Sequence, residues 1–152
     1  TSKVGAHDEI ESYAAILGID IATGTDAEKV SSPDSVTLID TPALPNSTEA
    51  FASFARQLDL IKPSHRIAVF STLTRSSDTI RQAKHIRVLN PTSFAMTMLD
   101  LTPSHGPIVA AADTLTAKLA LVSDAPGGMG KARRPEAATL VAGLLHAEVD
   151  DE

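Results

Sequence analysis

The chain contains no cysteine and no tryptophan, and only one tyrosine and four phenylalanines in 152 residues. Without cysteine there is no disulfide framework and no thiolate chemistry, which suits a cytoplasmic protein. With so few aromatics, the core must be built from Ala, Leu, Ile and Val, and few rings remain to stack on bases. No apolar run approaches the roughly 20 residues that span a bilayer, and no signal peptide is visible. Positive charge is also short. Thirteen Lys and Arg against nineteen Asp and Glu leave a net charge of −6, which argues against direct binding to nucleic acid or to an anionic membrane.

What is present reads as a globular α/β protein. The length fits one domain with a real core, and 43% hydrophobic and 21% charged residues are ordinary for that class. We read a single domain over residues 1–147 and an acidic tail, Glu148-Val149-Asp150-Asp151-Glu152, beyond it. From the start at Thr1, without Met, we expect a processed or excised piece. No internal repeat is visible.

Apolar spacing predicts alternating helices and strands. Ile10, Tyr13, Ala14 and Leu17 recur at helical spacing, with Gly18 placed to end that helix. Ile19–Ala22 is a short strand candidate, and Ala27–Val30 a helical turn. Val36–Asp40 is predicted to be a buried strand. Phe51, Phe54, Ala55 and Leu58 form a second helical stripe, with Ser47 or Thr48 as N-cap and Glu49 in the favourable first turn. Arg66–Ser71 is the next strand. A helix capped by Ser76 or Ser77 runs to about Val88, with Asp78 in its first turn. Ser93–Leu99 is a strand, Gly106–Leu115 a helix opened by Pro107, Lys118–Ser123 a strand, and Pro135–His146 the last helix. Strands alternating with helices of this length imply a parallel sheet.

Two of these apolar runs stop at an acid, Asp40 and Asp100, each followed by loop residues. In open parallel sheets ligands bind at the carboxyl ends of the strands. Two acids there suggest a nucleotide site, one near metal and phosphates and one near the base. A glycine-rich phosphate loop ending in Lys and Ser/Thr is missing.

The order of segments resembles the GTPase domain of the signal-recognition-particle (SRP) family, and within it the flagellar-type member. Thr1-Ser2-Lys3-Val4-Gly5-Ala6-His7-Asp8-Glu9-Ile10, followed by Tyr13 and Ile16-Leu17-Gly18-Ile19, is similar to that family's Asp-Thr-Tyr-Arg-x-Gly-Ala-x-Glu-Gln-Leu segment and its continuation. Asp40-Thr41-Pro42-Ala43-Leu44 falls at the place of Asp-Thr-Ala-Gly-Arg. Thr97-Met98-Leu99-Asp100 falls at the place of Thr-Lys-Leu-Asp, and Thr102, Ser104 and Gly106 match the flagellar subgroup's Thr-x-Ser-x-Gly. The likeness covers nearly the whole chain, but only the later part of the family's domain.

The resemblance implies a three-layer parallel sheet of the phosphate-loop GTPase kind, lacking the N-terminal phosphate-loop strand and helix. It also implies GTP or GDP with Mg²⁺ as ligands, and dimerisation across the nucleotide face, hence a protein partner or a second copy. Its biological setting would be flagellar biosynthesis or protein targeting, in the cytoplasm and at the membrane periphery. By position it assigns nucleotide contacts to Lys3, Asp40, Thr97, Asp100 and Ser123, and the metal to Asp40. Several positions depart from the family. Arg is replaced by Lys3, Gln by Glu9, Gly by Ala43, Arg by Leu44, and the Lys beside the guanine by Met98. Pro42 removes a backbone donor and stiffens its loop. Phosphate handling is thus nearly gone, while Asp100 can still accept two N–H groups from a guanine edge.

Each motif also has a plainer reading. Asp40 can be a turn or capping Asp, because Mg²⁺ usually needs substrate phosphates as co-ligands. For Asp100 the two readings balance, and Lys3 reads as a solvated Lys near a chain end. Gly127-Gly128-Met129-Gly130-Lys131 lacks the first required Gly and the hydroxyl after Lys, and the resemblance implies a flexible loop beside the base pocket there. His7, His65, His85, His105 and His146 show no paired metal spacing, and His105 reads as a surface loop residue. No Gly-x-Ser-x-Gly elbow exists.

Two functions follow as expectations. One is a partial or degenerate SRP-type GTPase domain that does not hydrolyse GTP alone, because positioning and charge neutralisation are nearly all of that catalysis. The other is a non-catalytic protein–protein interaction module, a pseudo-GTPase. A receiver-like phosphoacceptor domain lacks its acidic pair and its later Lys.

Overall fold

Parallel strands cannot be joined by tight turns, so the helices between the apolar runs determine how the strands meet. The computed structural model describes residues 4–22, 35–124 and 132–146. The chain divides into two compact units, Thr1–Leu44 and Pro45–Glu152. Among the described residues are five α-helices and three strands. No helix among them is long and apolar enough to cross a membrane.

In the first unit, helix α1 (Val4–Leu17) ends as its glycine predicts. Gly18 has φ +64°, a left-handed conformation that costs glycine little. Ile19 N–H then donates back to the Ala14 carbonyl at 3.0 Å, the closing bond of a Schellman cap. The strands expected at Ile19–Ala22 and Val36–Asp40 are not formed. Residues 36–40 pair with no strand among the described residues, and Val36 and Leu38 are 89% and 87% exposed. An apolar run becomes a strand only when a neighbour takes its backbone groups. The turn expected at Ala27–Val30 and the loop at 127–131 lie outside the described residues.

The second unit begins with α2 (Thr48–Ile61). Ser47 caps it, its Oγ accepting from Ala50 N–H at 3.2 Å, with Glu49 in the first turn. Three parallel strands follow, β1 (Ile67–Ser71), β2 (Ser93–Thr97) and β3 (Lys118–Val122), in spatial order β1-β2-β3. Helix α3 (Ser76–Ile86) with a short 3₁₀ turn (Arg87–Leu89) connects β1 to β2, and α4 (Gly106–Leu115) connects β2 to β3. Helix α5 (Ala137–His146) closes the unit, starting two residues after the expected Pro135.

The register aligns Ala68 with Phe94 and Phe70 with Met96, so one face of the sheet presents a continuous apolar surface. Ala83 of α3 and Ile108, Ala111 and Leu115 of α4 pack onto it, with Val122 from β3. Phe94 and Met96 are fully buried, each contributing about 1.5–3 kcal/mol by burial. Phe70 and Phe94 meet edge to face, centroids 6.4 Å apart. A bulge between Phe94 and Ala95 shifts the β2–β3 register by one residue, which lets both Leu119 and Val122 reach this core. Ile67 and Val69, on the opposite face of β1, are 48% and 62% exposed.

Candidate functional site

The carboxyl ends of β1, β2 and β3 are linked by side-chain and backbone hydrogen bonds that continue the ladder beyond the strands. Thr72, just past β1, is 3% exposed. Its N–H donates to the Thr97 carbonyl at 3.1 Å, and its hydroxyl donates to the Thr97 and Met98 carbonyls at 2.9 and 2.8 Å. Thr97 returns the contact, its Oγ1 donating to the Phe70 carbonyl at 3.2 Å. On the other side, Ser123 N–H donates to the Met96 carbonyl at 2.9 Å, and Leu99 N–H donates to the Ser123 carbonyl at 3.1 Å.

Met98 stands at the centre with φ 63° and ψ 34°. A left-handed conformation costs a residue with a Cβ about 1–2 kcal/mol, and strain of this kind clusters at functional sites. It also ends β2 earlier than the expected Leu99, because the chain turns there into a 3₁₀ turn, Leu99–Leu101. Ser71 Oγ donates to Met98 Sδ at 3.5 Å. Met98 remains 45% exposed, beside Leu73 at 53% and Leu101 at 60%.

Thr97, Asp100 and Ser123 are therefore brought to one end of the sheet by adjacent strands. Thr97 spends its hydroxyl proton on Phe70. Asp100 is exposed in the 3₁₀ turn, and its carboxylate makes no hydrogen bond or ion pair with a described residue. Asp40 belongs to the first unit and is exposed in an irregular stretch, and Lys3 lies outside the described residues. Among the described residues no three His, Asp or Glu side chains converge as a metal site. A Mg²⁺ held by one carboxylate and substrate phosphates would be a different arrangement.

Two neighbours were not legible as site residues. Arg75 is the N-cap of α3, where Ser76 or Ser77 was expected, and gives no side-chain cap. With Thr72, Thr74, Thr102 and Ser104 it lines a cleft of about 300 Å³ between the β1 and β2 loops. Arg133 forms an antiparallel bridge with Val122, both bonds 2.9 Å, and its guanidinium meets the Asp124 carboxylate at 2.7 Å, next to Ser123. Sequence spacing marks neither Arg, because both are placed by loop geometry.

His105 is half-buried rather than a surface loop residue. Its Nδ1 lies 3.2 Å from the Leu140 carbonyl oxygen, a hydrogen bond that requires the proton on Nδ1. Its ring fills the space in which a Cβ on Gly143 would stand. It is a packing residue joining α4 to α5.

No family model matches this chain, and no match was found among curated proteins.

Proposed function

We propose that this chain is a degenerate relative of SRP-type GTPases that does not hydrolyse GTP by itself, and that it acts as a protein–protein interaction module through the carboxyl end of its sheet. The observation that carries this reading is the exposed apolar group of Leu73, Met98 and Leu101 gathered around Thr72. At Met98 the resembled family has the Lys that packs beside guanine. An apolar surface rimmed by hydroxyls, at the end of the sheet where ligands bind, suits a protein better than a triphosphate. The alternation of parallel strands with helices, and the acid just after β2, support the comparison with the GTPase layout. A protein partner or a second copy would occupy the surface. A setting in flagellar biosynthesis or protein targeting, in the cytoplasm or at the membrane periphery, belongs to the same proposal.

A second reading has one specific observation in its favour. The Asp100 carboxylate is exposed and unengaged by the described residues, so it is available to a guanine edge. Under that reading the chain is a working piece of a GTPase that keeps its base pocket and binds GDP or GTP with Mg²⁺.

Calorimetric titration of GDP and GTP with Mg²⁺ into the purified chain separates the two, with Asp100→Asn as control. The interaction module predicts no saturable heat at millimolar nucleotide. Micromolar binding that is lost in Asp100→Asn overturns it in favour of the nucleotide site.

A further inference from the structure

Two cationic side chains and a histidine line the amino end of the sheet, away from Asp100. His65 precedes β1, Lys118 opens β3, and Arg134 leads into α5. All three are exposed, and they line one cleft of about 610 Å³ with Ser64, Thr92 and Ser93. Among the described residues no Asp or Glu lines that cleft.

Three arginines elsewhere in this unit are paired with an acid. Arg66 meets Asp59, Arg81 meets Asp78 and Arg133 meets Asp124. Among the described residues, the Lys118 and Arg134 side chains make no such contact. In a chain of net charge −6, two unpaired permanent cations and a histidine on one cleft are a local reversal of sign, and opposite charge on a ligand would be attracted there. The Thr92 hydroxyl is committed to Arg66, donating to its carbonyl and accepting from its N–H, both at 3.1 Å. Ser64 and Ser93 have no side-chain bond to a described residue and can donate to a ligand oxygen.

The geometry points to a small-molecule site for a phosphate monoester. A guanidinium fork and an ammonium together balance a dianion, and the serine hydroxyls supply donors to further phosphate oxygens. The cleft lies within the roughly 300–1,000 Å³ of small-ligand pockets, and Leu119 and Ala120 give it an apolar wall for the ester group. This site is independent of the carboxyl-end surface.

The test is a titration of the whole chain with phenyl phosphate at constant ionic strength, followed by amide NMR shifts. Benzenesulfonate, a monoanion of similar shape, is the charge control. The expected result is saturable shifts confined to the segments around Ser64, Ser93 and Lys118. Lys118→Gln and Arg134→Gln should each weaken binding about tenfold, the loss of one charge-assisted hydrogen bond. Both residues are exposed, and an otherwise unchanged spectrum verifies that the variants are folded. Absence of saturation up to about 20 mM, well above a millimolar dissociation constant, overturns the proposal. So does binding that survives in both variants, or equal affinity for benzenesulfonate. Binding to phosphatidic acid vesicles without binding to phenyl phosphate also overturns it, in favour of a membrane surface.

Discussion

The hydroxyl of Thr72 donates to the carbonyl oxygens of both Thr97 and Met98, at 2.9 and 2.8 Å. One buried side chain after β1 thus holds the turn after β2. Thr72→Val keeps the shape and removes the hydroxyl donor, leaving each carbonyl only a backbone partner, Thr72 N–H for Thr97 and Leu101 N–H for Met98. We expect a loss of about 0.5–1.5 kcal/mol in a denaturant titration. The melting temperature should fall by about 2–4 °C per kcal/mol. Thr72→Ser, which keeps the hydroxyl, should lose distinctly less.

Met98 supplies a second prediction, because its φ of 63° is imposed on a residue that does not favour it. Met98→Gly removes the Cβ conflict at the cost of a more flexible unfolded chain. It should leave stability unchanged or raise it by up to about 1 kcal/mol. Met98→Val, β-branched at the same backbone angles, should destabilise. A rank order of Gly above Met above Val in thermal melts is the expected result; Val equal to Met would mean the turn relaxes freely.

Gly143 and His105 make a third test. An alanine in a helix interior is normally better than glycine by about 1 kcal/mol. Here the added Cβ would overlap the His105 ring, so Gly143→Ala should destabilise. Adding His105→Ala should restore stability to at least that of His105→Ala alone. Non-additivity in this double-mutant cycle is the signature of the contact.

Phe94 tests the core itself. It is fully buried and meets Phe70 edge to face. Phe94→Ala should cost about 3–5 kcal/mol, read by chemical denaturation. The exposed pair Asp59–Arg66 offers the contrast. Asp59→Asn removes an ion pair whose carboxylate is 69% exposed and should cost under about 1 kcal/mol.

Local signals were readable where a single residue decides the backbone. Gly18 ends α1, Ser47 caps α2, and Gly106-Pro107 opens α4, each through a conformation or a hydrogen bond made within a few residues. The parallel α/β class was also legible, because helices between short apolar runs leave β1, β2 and β3 no other way to pair. Where a partner is needed, the reading went astray. Val36–Asp40 has the composition of a buried strand, but it is exposed and pairs with no strand among the described residues.

The resemblance placed Thr97, Asp100 and Ser123 in one site with Lys3 and Asp40, and the folded chain brings the first three to one end of the sheet. Their surroundings were not expected. Nothing in Ser76 announces that its hydroxyl crowds Gly106, where a Cβ would stand 2.7 Å from it, nor that Arg75 takes the cap position instead. Nothing in Met98 announces a left-handed turn, since the usual glycine or asparagine signal is absent.

By itself, then, the sequence determined the described helices, where most of them stop, and that the sheet is parallel, because these depend on spacing and on contacts a few residues apart. Only the tertiary structure decided which apolar runs found a neighbour, which face of β1 was buried, and which cations were left without a carboxylate. Those outcomes depend on backbone and side-chain partners brought together from distant parts of the chain, and no local pattern encodes a partner.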